Sequence, residues 1–170
     1  MARLTRAQIE DTAAALGSGK IILIEEDLAN MDLSGIDLSG ANLNFARLAA
    51  AALENANLSG AKLQNADLSF AGLERANLSK SDLFKANLRE ARLSDANLQG
   101  AYLGSVNFRR ARLVGANLED ANLHFADLRD ADLSEATIKG ANLKNARYNS
   151  NTRWPGGLDP AITGALLYER

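Results

Sequence analysis

In the stretch ANLSGAKLQNADLSFAGLERANLSK, residues 56–80, every fifth residue is leucine and alanine stands two places before each one. An amphipathic helix repeats its apolar residues at i, i+3, i+4 and i+7, and a half-buried strand alternates them, so neither gathers a period of five onto one face. From Leu28 the central residue recurs without insertion to Leu143, 24 positions in all, with only Phe108 and Ile138 departing from leucine, and Tyr148 continues the register once more. The small residue holds from Ala41 to Ala146 with Ser81 and Val106 as exceptions, whereas Glu26, Met31 and Ile36 at the start are larger. A fixed period over such a length belongs to a solenoid, in which each unit buries its apolar side chains only by stacking on its neighbours.

Five residues are too few to close a backbone turn around a core, so several repeats must share one coil. A short extended side followed by a corner lets the central residue and the small one point inward together while the other three face water. Alanine is needed because a narrow interior leaves no room for a second large group at the same level. Gly35, Gly40, Gly60, Gly100, Gly115 and Gly140 fall at the corner, where a residue without Cβ accepts positive φ. The two prolines, Pro155 and Pro160, both follow the repeats.

The tandem pattern A-(N/D)-L-x-x, as in ANLSGAKLQNADLSF, resembles the pentapeptide repeat family, in particular its cyanobacterial members, over residues 26–150. The resemblance implies an all-β fold, a right-handed quadrilateral β-helix with four pentapeptides per coil and so about six coils for this repeat count. Residues 1–25 are expected to form an N-terminal capping helix and lead-in strand, 26–150 the β-helix, and 151–170 an irregular or short-helical C-terminal cap, within one structural domain. A helix is expected over about 6–16, started by the Thr5/Gln8 capping box, stapled by Leu4 and Ile9, and stopped at Gly17 within GSGK. At the other end Trp154, Leu158 and Ile162 are expected to plug the last coil, with Asp159-Pro160 opening a short helix. Leu166, Leu167 and Tyr168 could join two rods, so the expected state is a monomer or an end-to-end dimer through this cap.

The inventory argues against an enzyme. There is no cysteine, His124 is the single histidine, and GSGK at 17–20 is too short for a phosphate-binding loop. Asp127, Asp130 and Asp132 read as a solvated face without a pocket, so neither metal nor cofactor is expected. A net charge of −2, from 19 basic and 21 acidic side chains, gives no reason to expect direct nucleic-acid binding. No apolar run approaches the roughly 20 residues that span a bilayer, and no signal segment opens the chain; the expectation is a cytoplasmic protein without a membrane partner.

In a four-sided coil, residues twenty apart stack. Asn57, Asn77, Asn97 and Asn117 then form a ladder whose amides can bond between coils. Arg89, Arg109 and Arg129 form a column of like charge, with Arg92 and Arg112 beginning the adjoining side. Glu90, Asp95, Asp130 and Asp132 lie close enough to make this either a compensated network or a patch for an acidic partner. The fourth side carries Phe45, Phe84, Tyr102 and Phe125, and Phe84 and Tyr102 fall in successive coils, either as a partner surface or as incidental exposure. The function expected is a non-catalytic scaffold that presents outward side chains, with these arginines and aromatics as candidates, to another protein. The resemblance also offers a DNA-mimicking DNA gyrase-binding protein. That class is strongly acidic, whereas residues 26–150 hold 16 acids and 14 Lys or Arg.

Overall fold

The computed structural model describes residues 4–17 and 21–169. Its body is a β-helix solenoid. Parallel bridges join residues twenty apart, beginning with Ile22 to Asn42 and continuing every five residues to Asp127 and Arg147. Four pentapeptides therefore complete one circuit. From Leu23 to Leu133 the N–H of the central residue donates to the following coil, as Leu28 does to the Arg47 carbonyl at 2.8 Å. The N–H just before it donates to the preceding coil, as Asn42 does to the Ile21 carbonyl at 2.9 Å.

Each corner is a turn closed from the central carbonyl to the next small residue, such as Ala41 N–H to Leu38 O at 3.0 Å. Its third residue takes positive φ, the requirement of a type II turn. Glycine meets that requirement at Gly35 (φ 68°), but Phe45, Phe70 and Phe125 hold φ of 60–61° at equivalent corners. The corner conformation thus belongs to the repeat rather than to glycine. The interior is filled as the period predicts: central residues from Leu28 to Leu133 and alanines from Ala41 to Ala131 are buried in one continuous core. Burying each leucine contributes about 1.5–3 kcal/mol. Where Ser81 replaces alanine, its hydroxyl donates to the Leu78 carbonyl at 2.6 Å, so the buried polar group is satisfied.

Helix α1, Arg6–Leu16, lies at the N-terminal end. The Thr5 hydroxyl accepts from Gln8 N–H, and the Gln8 side chain accepts from Thr5 N–H at 2.8 Å, forming the capping box. Ile9 is buried in the core, and Arg6 donates to the Ser34 carbonyl at 3.0 Å, which fastens the helix to the first coil. Gly17 ends α1 at φ 80°; the rest of the GSGK segment lies outside the described residues.

At the other end the register slips by one, since Asp132 bridges Arg153 rather than residue 152. Strand β1, Arg147–Tyr148, pairs in parallel with β2, Leu166–Leu167. Between them runs a 3-10 helix, Pro160–Thr163, with Asp159 as its N-cap. Trp154 packs on the core and meets Tyr148 edge-on at 5.5 Å between centroids. Ile162 does not join that plug: it is 79% exposed, because the 3-10 turn carries it outward.

Candidate functional site

Asparagine and aspartate hold most positions in three of the four outward columns beside the central residues, and the two amino acids do different work. Asn57 Oδ1 accepts from Ser59 N–H at 3.2 Å, closing a local turn, while its Nδ2 donates to Asp37 Oδ1 at 3.0 Å in the preceding coil. Asn77 and Asn97 continue the ladder at 3.3 Å each, and Asn117 at 3.5 Å. Aspartate accepts but has no amide hydrogen to pass on. It can begin such a ladder, as Asp37 does, and Asp127 stands where another ends: Asn107 donates to Asn87, whereas Asp127 turns to Arg129 Nε at 2.8 Å.

That exchange dismantles the arginine column as a uniform surface. Arg129 is drawn in beside Asp127, its side chain 14% exposed, and its guanidinium is held above its usual pKa chiefly by that hydrogen bond. Arg89 pairs sideways with Glu90 at 2.9 Å, and Arg110 reaches Glu90 at 3.5 Å and Asp130 at 3.9 Å. Arg109 and Arg112 make no ion pair among the described residues, and their charges act at longer range on Asp127, Asp130 and Asp132.

Arg92 spans two coils. Its Nε donates to Glu74 at 2.6 Å and its Nη2 to Glu54 at 3.1 Å, raising its pKa mainly through the Glu74 contact. The route crosses Gly72, where a Cβ would sit 2.2 Å from Glu54 Oε1 and 2.7 Å from Arg92 Nη2. The sequence reading singled out Arg92 but missed Glu54, Glu74 and Gly72, although the twenty-residue spacing stacks both glutamates on one side.

The aromatic side has a comparable gap. Phe84 and Tyr102 stack with centroids 5.7 Å apart and ring planes at 28°, and Lys85 Nζ lies 5.2 Å from the Phe84 centroid. Gly104 leaves the space into which Phe84 and His124 lean: a Cβ there would be 3.1 Å from the phenyl ring and 3.3 Å from His124 Nδ1. His124 in turn meets Phe125 edge-on at 4.5 Å. Two ring pairs, Phe84–Tyr102 and His124–Phe125, thus face each other across the Gly104 gap, with Tyr102 and Phe125 exposed and Phe84 and His124 half-buried. Phe45 is exposed nearer the N-terminus, and Phe70, also exposed, lies at a corner of the adjoining side one coil further on and was not singled out from the sequence. No group of acids and histidines among the described residues is arranged to hold a metal, and none of the described helices is long and apolar enough to cross a membrane.

A stacked five-residue repeat with inward leucine and alanine defines a class, and the sequence comparisons agree with it. The family described as Pentapeptide repeats matches in eight copies over segments running from residue 27 to residue 147. The chain belongs to the pentapeptide repeat family. Among solved structures, HetL, a pentapeptide repeat protein involved in heterocyst differentiation regulation from the cyanobacterium Nostoc sp. strain PCC 7120, shares 30% identity at a TM-score of 0.66. The match covers 90% of this chain and 78% of HetL. A pentapeptide repeat protein from the cyanobacterium Cyanothece 51142 shares 39% identity over 55% of this chain and 63% of its own, at a TM-score of 0.54. No curated protein matches significantly.

Proposed function

We propose that this chain is a non-catalytic binding scaffold, a right-handed four-sided rod of about six coils that holds a protein partner against its outward side chains. In this reading residues 26–150 are the shaft, 1–25 and 151–170 are its caps, and the protein works in the cytoplasm. The observation that carries the reading is the two neighbouring ring pairs, Phe84–Tyr102 and His124–Phe125, which stand on outward positions and belong to no part of the buried core of the shaft. Aromatic side chains clustered at a surface, here the exposed Tyr102 and Phe125 beside half-buried Phe84 and His124, are a feature of partner surfaces. Arg109 and Arg112, without ion-pair partners among the described residues, supply the charge an acidic partner would meet on a neighbouring side. HetL's involvement in heterocyst differentiation regulation is compatible with such a scaffold here.

The test compares affinity capture by the parent with capture by two folded variants, Phe84→Ser/Tyr102→Ser and Arg89→Gln/Arg109→Gln/Arg129→Gln. Surface substitutions away from special features change stability by no more than about 0.5 kcal/mol, although the Arg129 change also costs its Asp127 contact. A partner lost by the aromatic variant and kept by the arginine variant places binding on the aromatic side. Retention of every partner by both removes these surfaces as the working ones.

A further inference from the structure

Charge is distributed unevenly along the rod. Residues 1–40 hold seven acids and three bases, net −4, and residues 136–170 hold five bases and two acids, net +3, while residues 41–135 between them are close to balance with twelve acids and eleven bases. The two ends also expose apolar side chains. At the N-terminal end α1 exposes Ala7 and Ala14 on the face that carries Asp11, and Leu16 at its last position, with Glu25 and Glu26 exposed on the first coil. At the C-terminal end Leu166, Leu167 and Ile162 are exposed beside Lys144 and Arg147. None of Asp11, Glu25, Glu26, Lys144 and Arg147 makes an ion pair among the described residues. In the shaft each central N–H donates to the coil that follows, but among the described residues β2 is the last strand of its sheet, so its far edge is open. An open edge is a template for another chain.

We propose that the surface these features define is occupied by a second copy of this chain, docked head to tail: the acidic, α1-covered end of one rod against the basic, β2-bearing end of the next. Opposite charge fixes the polarity. Two C-terminal ends brought together would set Lys144 and Arg147 of one copy against the same cations of the other, and like-charge juxtaposition opposes that arrangement. A head-to-tail contact joins different patches, so it repeats rather than closing at two copies, and rods stacked along their axes grow into a linear series. Apolar contact between the exposed apolar residues of α1 and the Leu166/Leu167 edge supplies association; the charges select which ends meet.

The experiment is sedimentation velocity on the full chain across protein concentration, at low salt and at about 1 M salt, where screening falls to about 3 Å. Expected is a concentration-dependent series beyond the dimer, weakened about tenfold or more by high salt. Reversing one end alone, by Asp11→Lys/Glu25→Lys/Glu26→Lys or by Lys144→Glu/Arg147→Glu, should leave monomers whose circular dichroism matches the parent, and reversing both ends in one chain should restore the series. The salt titration needs no variant, so a misfolded variant leaves the parent's result standing. A parent that stays monomeric at every concentration overturns the proposal. So does association that stops at the dimer and ignores reversal of the acidic end.

Discussion

At the scale of single residues the outward surface is a set of ladders, and each breaks where a side chain can no longer both accept and donate. Asp127 marks such a break, and with Asp130 and Asp132 it is among the carboxyls whose surroundings shift their titration. Burial pushes Asp127 upward, but the hydrogen bonds and charge of Arg129 outweigh it and hold the carboxyl below its ordinary 3.8. Asp130 is lowered first by the amides of Asn149 and Asn151; Asp132 is raised by burial and lowered further by Ser134, Arg153 and Arg112. A carboxyl whose folded pKa is depressed stabilises the fold above its unfolded value, and that stabilisation disappears as pH falls through the folded one. Stability should therefore be level above about pH 4 and fall below it, with a shallower acid limb in Asp127→Asn; thermal melts from pH 6 to pH 2, as an approximate range, read the difference directly. A second prediction concerns the space over Gly72. Gly72→Ala should displace Arg92 from Glu54 and cost about 1 kcal/mol or less, the scale of an exposed pair, and in an Arg92→Met background the same substitution should cost measurably less. Inward positions are far less tolerant: Leu78→Asp puts a carboxylate into a fully buried site and should cost several kcal/mol, seen as loss of the cooperative melt.

Among the elements, legibility in the sequence followed how local the determining contacts are. The start of α1 was readable because Thr5 and Gln8 bond to each other three residues apart, and Ile9 follows them as the first buried residue. The Phe84–Tyr102 contact was readable because a twenty-residue coil stacks positions in register. The fate of Ile162 was not, since the period ends before it and nothing local announces which way a 3-10 turn will point. Nor was the division of the arginines: Arg89 turns to its sequence neighbour, Arg129 to Asp127, and Arg92 across two coils, choices made by reach and by gaps such as Gly72. Because the Thr5/Gln8 cap starts α1 while Ile9 and the Arg6 contacts hold it to the first coil, Thr5→Ala should weaken the helix by about 1 kcal/mol without melting the shaft. Hydrogen exchange should then speed in 6–16 while the amides of the shaft stay protected; equal protection throughout α1 would show that packing of Ile9 alone holds it.

For the whole molecule the decisive quantity is the twenty-residue circuit, because it separates what keeps the core from what keeps the surface. Any deletion of a multiple of five residues leaves leucine and alanine inward. Only a multiple of twenty also leaves every later residue on its own side. Deleting 69–88 joins Leu68 to Arg89, restores the column in which Asn107 follows Asp67, and removes one turn of the rod, about 4.8 Å of length. Deleting 69–73 keeps the core but rotates everything beyond the cut by one side, so the Asn57–Asn77 contact, the Arg92 bridge to Glu54 and the placing of the C-terminal strands relative to α1 are all lost together. The expected order of thermal stability is parent, then the 20-residue deletion with a single cooperative transition, then the five-residue deletion, which should melt lower despite being the smaller change. Small-angle scattering should show the 20-residue deletion shorter and of unchanged cross-section. A five-residue deletion as stable as the parent would mean that the core alone sets stability and that the outward ladders contribute nothing to it.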